Sequence, residues 1–166
     1  HERVIVVINS GGLIDLSFMD EMPQIKGLIY MGQPGMEAGN ALADILRGDV
    51  TPSGHLTDTW AYHYEDYPNA ETFSHCNGDV ENEYYTEGIY VGYRYFDTFE
   101  VPVRYSFGYG LSYTTFSMRM VNIAFIRYST RQTAIRLVVE VTNTGTCAGR
   151  EVVQIYASCP QKNMSK

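Results

Sequence analysis

With 166 residues, 45% of them hydrophobic and only 19% charged, the chain can bury a core and is not a solvated, disordered segment. A net charge of −7 with no Lys/Arg cluster argues against nucleic acid as the main partner. No apolar run reaches the length of a membrane span, and no basic stretch followed by an apolar one marks a signal peptide.

The β-branched run from Arg3 to Ile8 predicts a strand buried on both faces of a parallel sheet, ending in the turn Asn9-Ser10-Gly11-Gly12. Leu13 to Met22 reads as a short helix stopped by Pro23. Lys26 to Met31 reads as a second strand. Met36 to Arg47 reads as an amphipathic helix, with Met36, Gly39, Ala43 and Leu46, or Leu42 and Ile45, as its inward stripe. Glu37 sits near its positive end and Arg47 near its negative end, with Gly48 where a left-handed cap belongs. Strand, helix, strand, helix with short Gly/Pro turns indicates a parallel α/β unit, though two such units make an incomplete sheet.

From Asp49 the texture changes. Residues 55–60 suit a short extended piece, and residues 61–82 read as a long irregular loop of the kind usually functional or packed on another domain. Residues 84–116, dense in Tyr and Gly, read as extended segments and turns. Beyond them the pattern is all-β. Residues 120–128 alternate with a partial break, and residues 135–142 alternate cleanly. Asn143-Thr144-Gly145 marks a turn, and residues 151–157 read as a returning strand that would complete a hairpin. Roughly three strands fall well short of the seven or so of a β-sandwich.

The cysteines, Cys76, Cys147 and Cys159, are odd in number and form no C-x-x-C pair. They read as free, buried or half-buried thiols in a reducing compartment, which places the protein in the cytoplasm. The histidines lack metal-site spacing, and no metal or other cofactor is expected. Asn163-Met164-Ser165 matches a glycosylation sequon. The chain opens on His1, so a native start is expected upstream.

The stretch Glu87-Gly88-Ile89-Tyr90-Val91-Gly92-Tyr93-Arg94-Tyr95-Phe96-Asp97, followed by Phe107-Gly108-Tyr109-Gly110-Leu111-Ser112-Tyr113-Thr114-Thr115-Phe116, resembles glycoside hydrolase family 3 enzymes of β-glucosidase type. It is similar to the passage from their α/β sandwich domain into their fibronectin-III-like domain. Residues 4–12, 31–50, 51–60, 141–145 and 149–156 resemble the same family in the same order. The resemblance implies a partial parallel-sheet α/β sandwich with a Tyr/Gly-rich linker over 1–117. An incomplete fibronectin-III-like sandwich would follow over 118–166.

The family's chemistry is retaining β-glycoside hydrolysis by two carboxyl groups roughly 5–5.5 Å apart. The resemblance places the nucleophile Asp in a TIM barrel, before or after this segment. It places the acid/base Glu in a loop upstream of residue 4. Neither matches a residue here, so the chain alone is expected to be inactive. Its implied partners are the missing barrel and, in the whole enzyme, a β-glucoside.

Several residues invite a sharper reading. Glu87 could be proposed as an acid/base, but an ion pair with Arg94 or a backbone contact at a domain junction is preferred. Glu87, Tyr93, Arg94 and Tyr109 are the junction candidates. Asp58, Asp66 and Asp97 read as turn or cap residues. Ser10-Gly11-Gly12 has too few glycines for a phosphate loop, which disfavours a flavodoxin-like nucleotide binder. Ser53 lacks a His/Asp constellation. Trp60, Tyr62, Tyr64 and Tyr67 could stack on sugars, with aromatic packing at a domain surface as the plainer reading. The alternative function is a non-catalytic carbohydrate-binding or adhesion module.

Overall fold

The computed structural model describes residues 1–129 and 133–157, and of His75 the backbone alone. Cys159 and the 163–165 sequon lie outside that range. The chain divides into two compact units. The first comprises residues 1–50 and 54–110; the second comprises residues 51–53 with the described residues from Leu111 onward.

In the first unit, β1 (Val4–Ile8) pairs in parallel with β2 (Ile25–Tyr30), from Val4 opposite Ile25 to Ile8 opposite Tyr30. The connection carries one helical turn, α1 (Phe18–Glu21). This is shorter than the predicted helix because Leu13 to Leu16 stay irregular and Asp15 turns the chain by accepting a hydrogen bond from Ser17 N at 2.7 Å. β1 is not buried on both faces. Ile8 is buried, whereas Ile5 and Val7 are exposed, because no described element covers their side of this two-stranded sheet.

Helix α2 (Ala38–Arg47) follows the prediction closely. Of the two candidate stripes, Leu42 and Ile45 are half-buried while Met36 and Leu46 are exposed. Glu37 accepts from Asn40 Nδ2 at 2.6 Å, and Gly48 closes the helix in the left-handed conformation at φ 81°.

β3 (Trp60–Ala61) and β4 (Val103–Tyr105) form a short antiparallel pair. Between them the structure departs from the sequence expectation. Instead of extended segments only, Tyr93–Phe99 forms helix α3. Gly92 turns the chain into it at φ 59°, and Glu100, in the left-handed region at φ 55°, ends it. Phe96 is 3% exposed and meets Tyr67 edge-on, while Tyr95 and Phe99 pack one turn apart at 5.2 Å. Aromatic content had favoured strand, but burying Phe96 on one face favours helix here. The core of the unit is Ile8, Leu16 and Trp60, with Leu28, Tyr30, Leu56 and Tyr105 packed against it.

The second unit is a long antiparallel ribbon, β5 (Phe116–Arg127) with β6 (Thr133–Asn143). The hairpin therefore precedes the one predicted. Residues 151–157 carry no strand. β5 also begins two residues before the expected domain boundary at 117/118. The partial break in its alternation is a bulge: Met120 opposes Val139 and Asn122 opposes Val138, leaving Val121 extra. The extra residue changes the phase, so Met118 and Met120 before it share a face with Ile123 and Phe125 after it. Val141, Val139, Leu137 and Ile135 lie opposite on that face. The other face carries the Arg119–Glu140 ion pair at 2.8 Å. The predicted turn at residues 143–145 is present, with Gly145 N donating to Asn143 Oδ1 at 3.0 Å.

Candidate functional site

The motif-bearing residues of the first unit meet around α3, β3 and the loop between them. Glu87 is half-buried and accepts a hydrogen bond from Asn69 Nδ2, while Thr86 Oγ1 donates to Asn69 Oδ1 at 2.9 Å. Asn69 thereby pins the far end of the long loop to its start. The expected Glu87–Arg94 ion pair does not form among the described residues. Arg94 instead donates to the Ile89 carbonyl at 3.2 Å and lies 6.0 Å from the Tyr93 ring centroid. Helix formation explains the difference: Arg94 is in the first turn of α3 and reaches back five residues, while Glu87 is taken by a nearer donor. Tyr93 packs on Phe107 at 5.1 Å, and Tyr109 on Tyr105 at 4.9 Å. Tyr109 O also accepts from Leu56 N at 2.8 Å.

The remaining candidates resolve mostly to structure. Trp60 is 3% exposed and packs edge-on against Tyr30, so it is a core residue rather than a sugar platform. Tyr67 donates through its hydroxyl to the Thr59 carbonyl and accepts from Ala61 N, both at 3.1 Å. Burial pushes its phenol pKa up, with Asp58 and Asp66 adding to the effect. Tyr64 is exposed and tilts against Tyr67. Asp66 is the cap residue predicted, accepting from His63 N at 3.0 Å. Ser10 and Gly12 hydrogen-bond each other, and Ser53 Oγ accepts from Arg150 N at 3.2 Å. Cys76 and Cys147 are free as predicted, but exposed rather than buried.

Sequence reading missed the strongest ionic contact. Arg104 makes a two-pronged pair with Asp20, at 2.9 and 2.5 Å, and stacks on Tyr62 at 4.9 Å. Its side chain is only 9% exposed. The two partners are 84 residues apart, and no local pattern links them. The Arg104 hydrogen bonds hold the Asp20 carboxyl below the usual carboxylate range; desolvation opposes them, and the Arg104 charge adds a smaller lowering effect. Such a carboxyl contributes stability above its unfolded pKa, near 4, and loses it as pH falls through the lowered native value. Asp20→Asn should therefore lower stability at pH 7, with the gap to the parent chain closing below about pH 4. Urea titrations across that range check this; a gap that persists at acid pH would contradict the assignment.

Among the described residues, no group of three or more His, Cys, Asp or Glu side chains could hold a metal, and no helix is long and apolar enough to cross a membrane. The site is thus an aromatic and hydrogen-bonded cluster in a small mixed α/β structure.

Comparison with known proteins assigns it. The model of the glycosyl hydrolase family 3 C-terminal domain matches residues 1–93, and the chain belongs to that family. Over 98% of its length it is 43% identical to β-glucosidase A of Butyrivibrio fibrisolvens, and over 99% it is 40% identical to a β-glucosidase of Ruminococcus albus. It spans only 21% and 16% of those relatives. Among solved structures, a β-glucosidase from Paenibacillus barengoltzii superposes with a TM-score of 0.77 at 42% identity, covering 87% of this chain and 16% of that one. Thermotoga neapolitana β-glucosidase 3B, in complex with glycerol, gives 0.71 at 37% identity over 86% of this chain and 19% of its own. The family resemblance read from the sequence is borne out.

Proposed function

We propose that the chain is a non-catalytic part of a retaining β-glucosidase that hydrolyses terminal β-linked glucosyl residues. The observation that carries this is the asymmetry of coverage: nearly all of the chain aligns with β-glucosidases that are several times longer. In this reading residues 1–117 belong to the α/β sandwich, and the ribbon β5–β6 opens a fibronectin-III-like sandwich. The apolar face of that ribbon, with Met120, Ile123 and Phe125 about half or more exposed, is the kind of face a second sheet covers. The nucleophile then lies in a TIM barrel and the acid/base upstream of residue 4, both outside this chain. Two exposed free thiols fit a cytoplasmic location.

Retaining hydrolysis needs a pair of carboxyl groups roughly 5–5.5 Å apart. Here the tempting acid, Glu87, is held by Asn69 in a loop brace. The chain alone should therefore show no turnover of an aryl β-glucoside. Turnover that Glu87→Gln abolishes would overturn the reading.

A further inference from the structure

The first unit holds a cavity of about 300 Å³ behind α3, a size suited to a small ligand. The half-buried Tyr67, Tyr93 and Phe107 line it with the buried Phe96, and Leu13 and Val91 are exposed beside them. Tyr67 meets Phe96 at 89°, and rings crossed in this way present a face of each in their corner. Tyr93 and Phe107 hold each other at 5.1 Å, so this part of the wall is preformed. Ring faces carry negative charge. Asp58 is the one charged residue among the described residues that line the cavity. It is exposed, its Oδ2 accepts from Thr57 Oγ1 at 3.2 Å, and it pairs with no cation among the described residues. Burial first, and the Asp58 charge with it, raise the Tyr67 phenol pKa, which puts that carboxylate near the ring. Three hydroxyls of the wall are spent or out of reach. Thr57 donates to Asp58, Tyr67 donates to the Thr59 carbonyl, and the Thr59 hydroxyl is buried. A polyol therefore finds few partners here, and a neutral apolar body gains nothing from Asp58.

We propose that this cavity binds one small alkylated ammonium ion, its alkyl groups on the rings and its charge facing Asp58. Ring faces and carboxylate attract such a cation together. A fully alkylated nitrogen has no N–H groups, so it asks for no acceptors beyond those the wall offers. The site lies wholly within the first unit and does not depend on the glycosidase reading.

The test is an NMR titration of the 166-residue chain with tetramethylammonium at constant ionic strength, and separately with tert-butyl alcohol, a neutral probe of similar size. The ammonium should bind saturably, and ring currents should move its methyl resonance upfield. The alcohol should bind about tenfold more weakly, or not at all. Asp58→Asn should weaken the ammonium about fivefold, the upper end for an exposed charge pair. Val91→Lys sets a competing ammonium at the exposed rim and should abolish binding, whereas Val91→Leu should retain it, both with the circular dichroism spectrum unchanged. If Asp58→Asn unfolds the chain, the two Val91 variants decide. No saturable binding, equal binding of the alcohol, or full affinity in a folded Asp58→Asn or Val91→Lys variant would overturn the proposal. Turnover is not read in this experiment, so its failure leaves the β-glucosidase assignment untouched.

Discussion

Trp60→Ala should destabilise the first unit by about 3–5 kcal/mol, the range for removing a large aromatic side chain from a core. Typical domains hold about 5–15 kcal/mol in total, so the variant should be largely unfolded near room temperature if the unit sits low in that range. The reason is how little else is buried. Ile8, Leu16, Ala70 and Phe96 are the other buried hydrophobic residues among those described, and no large side chain is wholly inaccessible. Trp60 links β2 to β4. Its ring meets Tyr30 of β2 at 5.3 Å, and its backbone pairs with Tyr105 of β4. Urea unfolding followed by far-ultraviolet circular dichroism measures the effect. The parent transition can also be followed by the fluorescence of this single tryptophan. A loss under about 1 kcal/mol would mean that the core lies elsewhere.

Gly110→Ala should cost about 2–4 kcal/mol, for a different reason. A Cβ at residue 110 would stand 2.4 Å from the Gly54 carbonyl oxygen and 3.3 Å from His55 Cα. Neither is the free end of a side chain. The two backbone segments are clamped by Leu56 N to Tyr109 O and Gly108 N to Leu56 O, each 2.8 Å. Making room means stretching those bonds. Gly39→Ala is the internal control: it lies in α2, nothing is within 4 Å of its Cβ, and the substitution should gain roughly 0.5–1 kcal/mol. Thermal melts of the two variants should therefore shift in opposite directions. A neutral Gly110→Ala would show that the 54–56 and 108–110 segments are not clamped.

Both effects belong to contacts that local pattern does not reveal. α2 was legible because Leu42, Ile45, Arg47 and Gly48 carry stripe, charge and cap within one short window. α3 was not, because its aromatic residues suit a strand as well as a helix. What selects helix is the burial of Phe96 on Tyr67, a residue 29 positions away. The same holds for β5. Its broken alternation was visible, yet only the register against β6 shows that Val121 is an inserted residue that keeps the apolar set on one face. The strand expected at residues 151–157 failed in the opposite sense: its alternating pattern is right, but alternation alone does not create a strand pairing. At the site, Glu87 and Arg94 were paired with each other by proximity, whereas Asn69, 18 residues before Glu87, supplies the nearer donor and Arg94 turns to the Ile89 carbonyl. The family resemblance succeeded where these inferences failed because it rests on several colinear motifs rather than on any single contact.

The claim that the reacting carboxylates lie outside this polypeptide can be tested by mass. A 2-deoxy-2-fluoro-β-glucosyl fluoride traps the covalent intermediate of a retaining glycosidase on its nucleophile. Intact-mass spectrometry of the 166-residue chain after prolonged exposure should show the unmodified mass. A single added fluoroglucosyl group, mapped by peptide analysis to an Asp or Glu between residues 1 and 166, would contradict the account.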